Sequence, residues 1–245
     1  MRNPHYCYAR TVTLPRKIGF WYWFASSLAR PVAFLICKRE WRGRSNIPAA
    51  GPAMIIANHI SMVDPLLFAH FVFMSGRAPK VFIKASLFKV PILGKIFVNT
   101  GQLRVPRDSQ VTSNVMSEAK LALSRGDLVS IYPEGTITRE PHLWPMKGRH
   151  GAARLALETN VPVIPCAQWG AQQLLPPYGK KFNFFPKPTN IVHAGPPADL
   201  SRWQGKEVTK EVLDEVTEYF MGLITALLEK IRQEEAPKIR FVYEK

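Results

Sequence analysis

Ala53-Met54-Ile55-Ile56-Ala57 runs into Asn58-His59-Ile60-Ser61-Met62-Val63-Asp64 and then Pro65, and the architecture follows from that order. An apolar run this short, closed by a polar residue, reads as a buried strand over Ala53–Ala57. Pro65 suits the first turn of a helix, with Asp64 as its N-cap. The spacing places an imidazole at the C-terminal edge of a strand and a carboxylate at the start of the next helix. Loops at strand C-termini are where α/β proteins tend to build their sites. A carboxylate that fixes the tautomer of a histidine makes it a better general base. Taken alone, the pair also reads as a satisfied loop histidine beside a capping aspartate.

Outward from this stretch, short apolar runs alternate with amphipathic ones, the signature of a sheet with helical crossovers. Further strands are expected at Val81–Ile83, Leu103–Val105, Leu128–Tyr132, Val163–Ala167 and Asn190–His193. Helices are expected at Pro65–Phe73, Pro91–Asn99, Ser109–Ser124, Arg149–Thr159 and Val208–Glu234. The fold class is therefore α/β: a mixed, largely parallel central sheet flanked by helices. Val212, Val216, Phe220, Leu223 and Leu227 form a stripe on the last helix, which is ordinary packing and carries no chemistry. Pro176–Pro188, rich in proline and aromatic residues, reads as a long loop that either borders a ligand surface or packs its own rings.

At 245 residues the chain suits one α/β domain with an appendage. Lys and Arg number 33 against 18 Asp and Glu, a formal charge of +15. Such an excess attracts polyanions. The basic residues are scattered and accompany no nucleic-acid-binding motif, so nucleic acid is not expected as a partner, whereas membranes and phosphorylated ligands are. Cys7, Cys37 and Cys166 suggest neither a disulfide framework nor a zinc knuckle.

Ile18–Cys37 is the most hydrophobic window, with Phe20, Trp21, Tyr22, Trp23 and Phe24 consecutive. No small-residue cleavage site follows it. Arg30 and Pro31 interrupt it, and a buried Arg costs about 2.5–3.5 kcal/mol near the centre of a spanning helix. Aromatic rings between cationic flanks (Arg10, Arg16 and Lys17 before; Lys38, Arg39, Arg42 and Arg44 after) fit a segment lying in the bilayer interface. Residues 1–37 are read as an interfacial segment of two helices, Lys17–Ala29 and Pro31–Cys37, bent at Pro31. Residues 38–245 are read as the main domain, which carries the histidine–aspartate pair and is expected to be catalytic. A buried helical lid is the alternative reading of the window.

The Asn58–Asp64 block resembles the first motif of the glycerolipid acyltransferases, in which Asn-His-x-Ser-x-x-Asp carries the catalytic histidine and aspartate. Gly101-Gln102-Leu103-Arg104-Val105-Pro106-Arg107 resembles the family's second block, Tyr132-Pro133-Glu134-Gly135-Thr136 its third, and Val161-Pro162-Val163-Ile164-Pro165-Cys166 its fourth. The blocks stand in the family's order across residues 58–166. The resemblance implies that Asp64 orients His59, the general base, and steadies the imidazolium. It implies that Arg107 holds phosphate, a role for which a guanidinium fork is suited, and that Glu134, Gly135 and Thr136 bind the acceptor's glycerol hydroxyl and phosphate. Lys84, Arg104 and Lys147 are further candidate cations for substrate. Ser61 lies in no Gly-x-Ser-x-Gly elbow and reads as a loop-stabilising hydroxyl. Whether Asn58 orients the turn or adds polarity near the oxyanion stays open. Two departures stand out: Ile137 follows Glu-Gly-Thr where the family has Arg, with Arg139 two residues on, and Pro106 directly precedes Arg107.

By this resemblance the expected activity is transfer of a fatty acyl group from acyl-CoA or acyl-carrier protein to lysophosphatidic acid, with no covalent acyl-enzyme and no cofactor or metal. The alternative is the same chemistry on glycerol-3-phosphate, another lysophospholipid or a glycolipid. The expected location is the cytoplasmic face of the cell membrane, peripheral or monotopic on an anionic surface. Two competing readings are a metal-dependent hydrolase using His59, Asp64 and Glu134, and a basic protein that only binds membranes or nucleic acid. The first finds no paired histidine motif, and the second leaves the ordered blocks unexplained.

Overall fold

The computed structural model describes residues 19–106 and 113–243. The cationic flank before Ile18, Cys7 and Arg107 lie outside the described residues, as does the expected start of a helix at Ser109. Seven strands form one sheet: β1 Lys38–Arg42, β2 Ala53–Ala57, β3 Pro79–Lys84, β4 Leu103–Val105, β5 Leu128–Ile131, β6 Val163–Trp169 and β7 Thr189–Ala194. Their order is β1-β7-β6-β2-β5-β3-β4. Strands β6, β2, β5, β3 and β4 run parallel, β7 is antiparallel to β6, and β1 runs with β7. The mixed, largely parallel sheet read from the sequence is what the chain forms.

Strand β2 lies between β6 and β5, and every one of its residues is buried. Its alternation divides the core. Met54 and Ile56 pack with Val129 and Val163 against α4 (Ser113–Ser124), α5 (Gly151–Thr159) and α7 (Lys210–Arg232). Ala53, Ile55 and Ala57 face the other side, against Phe68, Phe71 and Val72 of α2 (Asp64–Met74). Helix α3 (Leu93–Asn99) precedes β4, and the one-turn α6 (Ala171–Leu174) follows β6. Buried on both faces, a central strand must be apolar throughout, which is why Ala53–Ala57 is readable from composition alone.

At the N-terminal end the structure corrects the expected break. A single helix, α1 (Phe20–Ile36), contains Pro31 in its interior. Proline removes a helical N–H and crowds the carbonyl a turn before it. Here Pro31 and Ser27 both lie on the exposed side, so the carbonyl left without its partner is at the surface. On the opposite side Ala33 and Cys37 pack against Leu67, Ala171 and Leu174. The Tyr22 hydroxyl donates to the Pro79 carbonyl at 2.5 Å, pinning the other end of the helix to β3. Among the described residues no helix is long and apolar enough to cross a membrane.

Candidate active site

The C-terminal ends of β2 and β5 lie side by side because the two strands pair in parallel. Asn58 leaves β2 and continues its ladder with a side chain. Its amide nitrogen donates to the Gln168 carbonyl at 3.0 Å, its amide oxygen accepts from the Gln168 N–H at 2.8 Å, and the Gln168 side chain donates to the Asn58 carbonyl at 2.8 Å. Asn58 is therefore fully engaged in tying the loop to β6.

Beyond Asn58 the chain folds around one oxygen atom. Asp64 Oδ2 accepts from the backbone N–H groups of Ile60 at 2.5 Å and Ser61 at 2.8 Å, and contacts His59 Nδ1 at 2.9 Å. The carboxylate is wholly buried and is not an N-cap. Val63 occupies that position without a side-chain bond, and Pro65 stands in the first turn as expected. A carboxylate can only accept, so the proton shared with His59 sits on Nδ1 and Nε2 carries the lone pair. The imidazole stacks on Tyr132, ring centres 4.3 Å apart and planes within 13°. Held by an edge and a face, the ring is 15% exposed, which leaves it reachable by a ligand.

The turn after β5 grips the backbone of the same histidine. Glu134 Oε1 accepts from the His59 N–H at 3.1 Å, and the Thr138 N–H donates to the His59 carbonyl at 2.8 Å. The other Glu134 oxygen accepts from the Met146 N–H at 3.0 Å. Glu134 is buried, and burial pushes its carboxyl up to about 8, against the lowering effect of the two N–H bonds. Its two oxygens are thus occupied by backbone rather than turned toward a ligand. Gly135 adopts φ +69°, and a Cβ there would meet the Arg149 side chain at 3.1 Å. Thr136 is half-buried in this turn.

Ser61 is buried, its hydroxyl donating to the Leu175 carbonyl at 2.7 Å and accepting from the Val63 N–H at 3.3 Å. Lys84 closes β3, and Arg104 lies on β4 with its guanidinium 5.8 Å from the Phe88 ring; both are exposed. The Lys147 N–H bonds the Phe241 carbonyl at 2.9 Å, in the C-terminal segment. Arg149, expected from the sequence only as a helix start, is the cation beside Gly135. The Lys-Gly-Arg run at 147–149 is the signal that could have found it. At the first departure, Ile137 is buried and its carbonyl accepts from the Tyr178 hydroxyl at 2.6 Å. The Arg139 guanidinium lies between the rings of Tyr178 and Tyr243, at 4.6 and 4.5 Å. No group of three or more His, Cys, Asp and Glu that could hold a metal ion occurs among the described residues.

The site thus places a histidine at a strand end, one ring nitrogen fixed on a buried carboxylate and the ring partly exposed. The chain belongs to the acyltransferase family, whose model matches residues 38–169 and so takes in every block named above. It is similar to 1-acyl-sn-glycerol-3-phosphate acyltransferase from Salmonella typhimurium, 27% identical over 202 residues, which cover 81% of this chain and 78% of that one. It is also similar to the chloroplastic 1-acyl-sn-glycerol-3-phosphate acyltransferase BAT2 of Brassica napus, 26% identical over 141 residues. That match covers 57% of this chain and 39% of the plant protein, so the chain spans well under half of it. The crystal structure of the 1-acyl-sn-glycerophosphate (LPA) acyltransferase PlsC from Thermotoga maritima shares the fold, with a TM-score of 0.65 at 20% identity, covering 86% of this chain and 80% of that one.

Proposed function

We propose that this protein moves a fatty acyl group from acyl-CoA or acyl-carrier protein to the free hydroxyl of 1-acylglycerol-3-phosphate, giving phosphatidic acid. The observation that carries the reading is the His59 Nδ1 contact with Asp64 Oδ2 at 2.9 Å, which leaves Nε2 available. Nε2 takes the hydroxyl proton as the acceptor oxygen bonds to the thioester carbonyl carbon. The tetrahedral intermediate then collapses, the carbon–sulfur bond breaks, and the departing thiolate takes the proton back from the imidazolium. Asp64 favours the imidazolium while it exists. Direct attack fits Ser61, whose hydroxyl is buried and bonded to Leu175. Arg107 and Arg149 are the cations assigned to the acceptor phosphate.

The same chemistry on another acceptor is favoured by one feature, the buried Ile137 where the family has arginine, with Arg139 held between two tyrosine rings instead. Thiol release measured with a panel of acceptors separates the two readings. Turnover with lysophosphatidic acid above that with glycerol-3-phosphate and other lysolipids is expected. Its absence removes the first reading. The protein is further proposed to act at the cytoplasmic face of the cell membrane as a peripheral or monotopic protein on anionic lipid. Support comes from α1, whose side away from α2 exposes Phe20, Trp23, Leu28, Phe34 and Leu35. A short helix with such a face lies along an interface more readily than it crosses one.

A further inference from the structure

The loop between α6 and β7 reaches the surface beside α1 and carries an apolar tip that neither the site nor the core uses. Within it stand Lys180, Lys181, Phe182, Phe184, Phe185 and Lys187. Phe182 and Phe184 stack with centroids 5.7 Å apart and planes within 5°, and both remain exposed. Phe185 is 92% exposed. Apolar surface in water is unfavourable, and adjacent exposed rings mark a place where something else covers them.

The base of the loop is fixed while its tip is bare. The Asn183 N–H donates to the Leu174 carbonyl at 2.8 Å, and Tyr178 donates to Ile137 in the turn that grips His59. Lys187 Nζ donates to the Phe34 carbonyl of α1 at 2.9 Å. Arg39 and Lys187 lie 4.2 and 5.9 Å from the Phe34 ring. The segment that follows the phenylalanine tip thus meets the last turn of α1 at Phe34, where Phe34 and Leu35 are exposed and cations border the junction. Rings able to sit at headgroup depth, flanked by lysines that suit anionic lipid, are the chemistry of an interfacial anchor. An acidic protein partner would account for the lysines, but not for three exposed phenylalanines between them or for the Lys187 contact with the exposed end of α1.

We propose that the Lys180–Lys187 loop is a second bilayer contact, which sets Phe182, Phe184 and Phe185 among the headgroups of an anionic phospholipid surface alongside α1. This rests on the reading that α1 lies in the interface. Two attachment points would fix the rotation of the protein on the membrane, with the loop's own Tyr178 bonded to the turn that holds His59.

The test is sedimentation of the full chain with vesicles of phosphatidylglycerol and phosphatidylcholine, and with phosphatidylcholine alone. Phe182→Ser/Phe184→Ser/Phe185→Ser is compared with Trp23→Ser/Leu28→Ser/Leu35→Ser, and melting temperatures confirm folding. The loop variant is expected to bind the anionic vesicles about tenfold more weakly or worse, with an unchanged melting temperature. Unchanged vesicle binding by the loop variant, with weakened binding by the α1 variant, overturns the loop proposal and leaves the α1 reading standing. Unchanged binding by both overturns both. A loop variant that keeps vesicle binding but loses acyl-carrier protein makes the loop a protein dock and also overturns the proposal. Should the triple variant not fold, Phe185→Cys in a Cys7→Ser background takes a polarity-sensitive dye, since Cys37 and Cys166 are buried. A blue shift on adding anionic vesicles is expected, and its absence overturns the proposal.

Discussion

Removing the Glu134 carboxylate separates two roles that kinetics can tell apart: holding the histidine loop, or touching the acceptor. Its oxygens accept from the His59 and Met146 N–H groups at 3.1 and 3.0 Å. Glu134→Ala leaves two buried donors unsatisfied, at roughly 1–3 kcal/mol each, so about 2–6 kcal/mol of stability is expected to go. Glu134→Gln keeps the shape and one acceptor, but turns an NH2 toward the second N–H, so about 1–3 kcal/mol is at risk. Against that stands the relief of no longer holding a buried carboxyl protonated above its ordinary titration range. In the folded chain the carboxyl holds its proton up to about 8, compared with 4.5 for the ordinary group. Unfolding therefore releases a proton between those values, and rising pH favours the unfolded chain through that window. The contribution is fully present below 4.5, is lost by about 8, and amounts to at most about 5 kcal/mol. Thermal melts from pH 4.5 to 8 should show this decline for the wild type and a shallower one for Glu134→Gln. Steady-state kinetics of Glu134→Gln should show kcat down about 10- to 100-fold, because a displaced imidazole loses alignment, with the KM for acceptor little changed. A raised KM at unchanged kcat, with the wild-type pH slope intact, would refute this reasoning and return Glu134 to the acceptor.

Other substitutions probe the same loop. His59→Ala should lower thiol release about 10²–10⁴-fold while leaving vesicle sedimentation intact, and normal turnover would remove the base assignment. Asp64→Asn exchanges one carboxylate oxygen for an amide in a position that receives three N–H groups. Its kcat should fall over about the same 10²–10⁴ range, and its melting temperature should fall as well. Asn58→Ala should cost stability before chemistry, roughly 1–3 kcal/mol for each Gln168 group left unpaired. Denaturant melts showing no loss would mean that the side-chain ladder to β6 is unimportant.

How much of this was legible depends on whether the cause is local. Ala53–Ala57 could be bounded to the residue because a strand buried on both faces admits no polar side chain. Lys38–Arg42 could not, since Lys-Arg-Glu-Trp-Arg reads as a cationic flank. It forms a strand only because β7 supplies a ladder, and an edge position tolerates charge. Pro31 predicts a helix break by its local chemistry, and tertiary placement on the exposed side of α1 overrides it. The one-turn α6 is too short to leave any period in the sequence.

The same division runs through the site. His59 and Asp64 are five residues apart, so a strand-to-helix spacing suffices to bring them together. Glu134 is 75 residues from His59, and only the parallel pairing of β2 with β5 makes them neighbours. The family resemblance implies that Glu134 binds substrate. In the fold it faces inward, because the loop it meets arrives with an N–H that has no other partner. A loop that must present one imidazole nitrogen cannot satisfy its own backbone by forming a helix or strand. Asp64 takes the amides of Ile60 and Ser61, Asn58 takes Gln168, and Glu134 with Thr138 takes the backbone of His59. Three polar side chains are buried so that a fourth can stay partly open. The third block therefore holds the His59 backbone from behind through Glu134, whose oxygens meet the N–H groups of His59 and Met146.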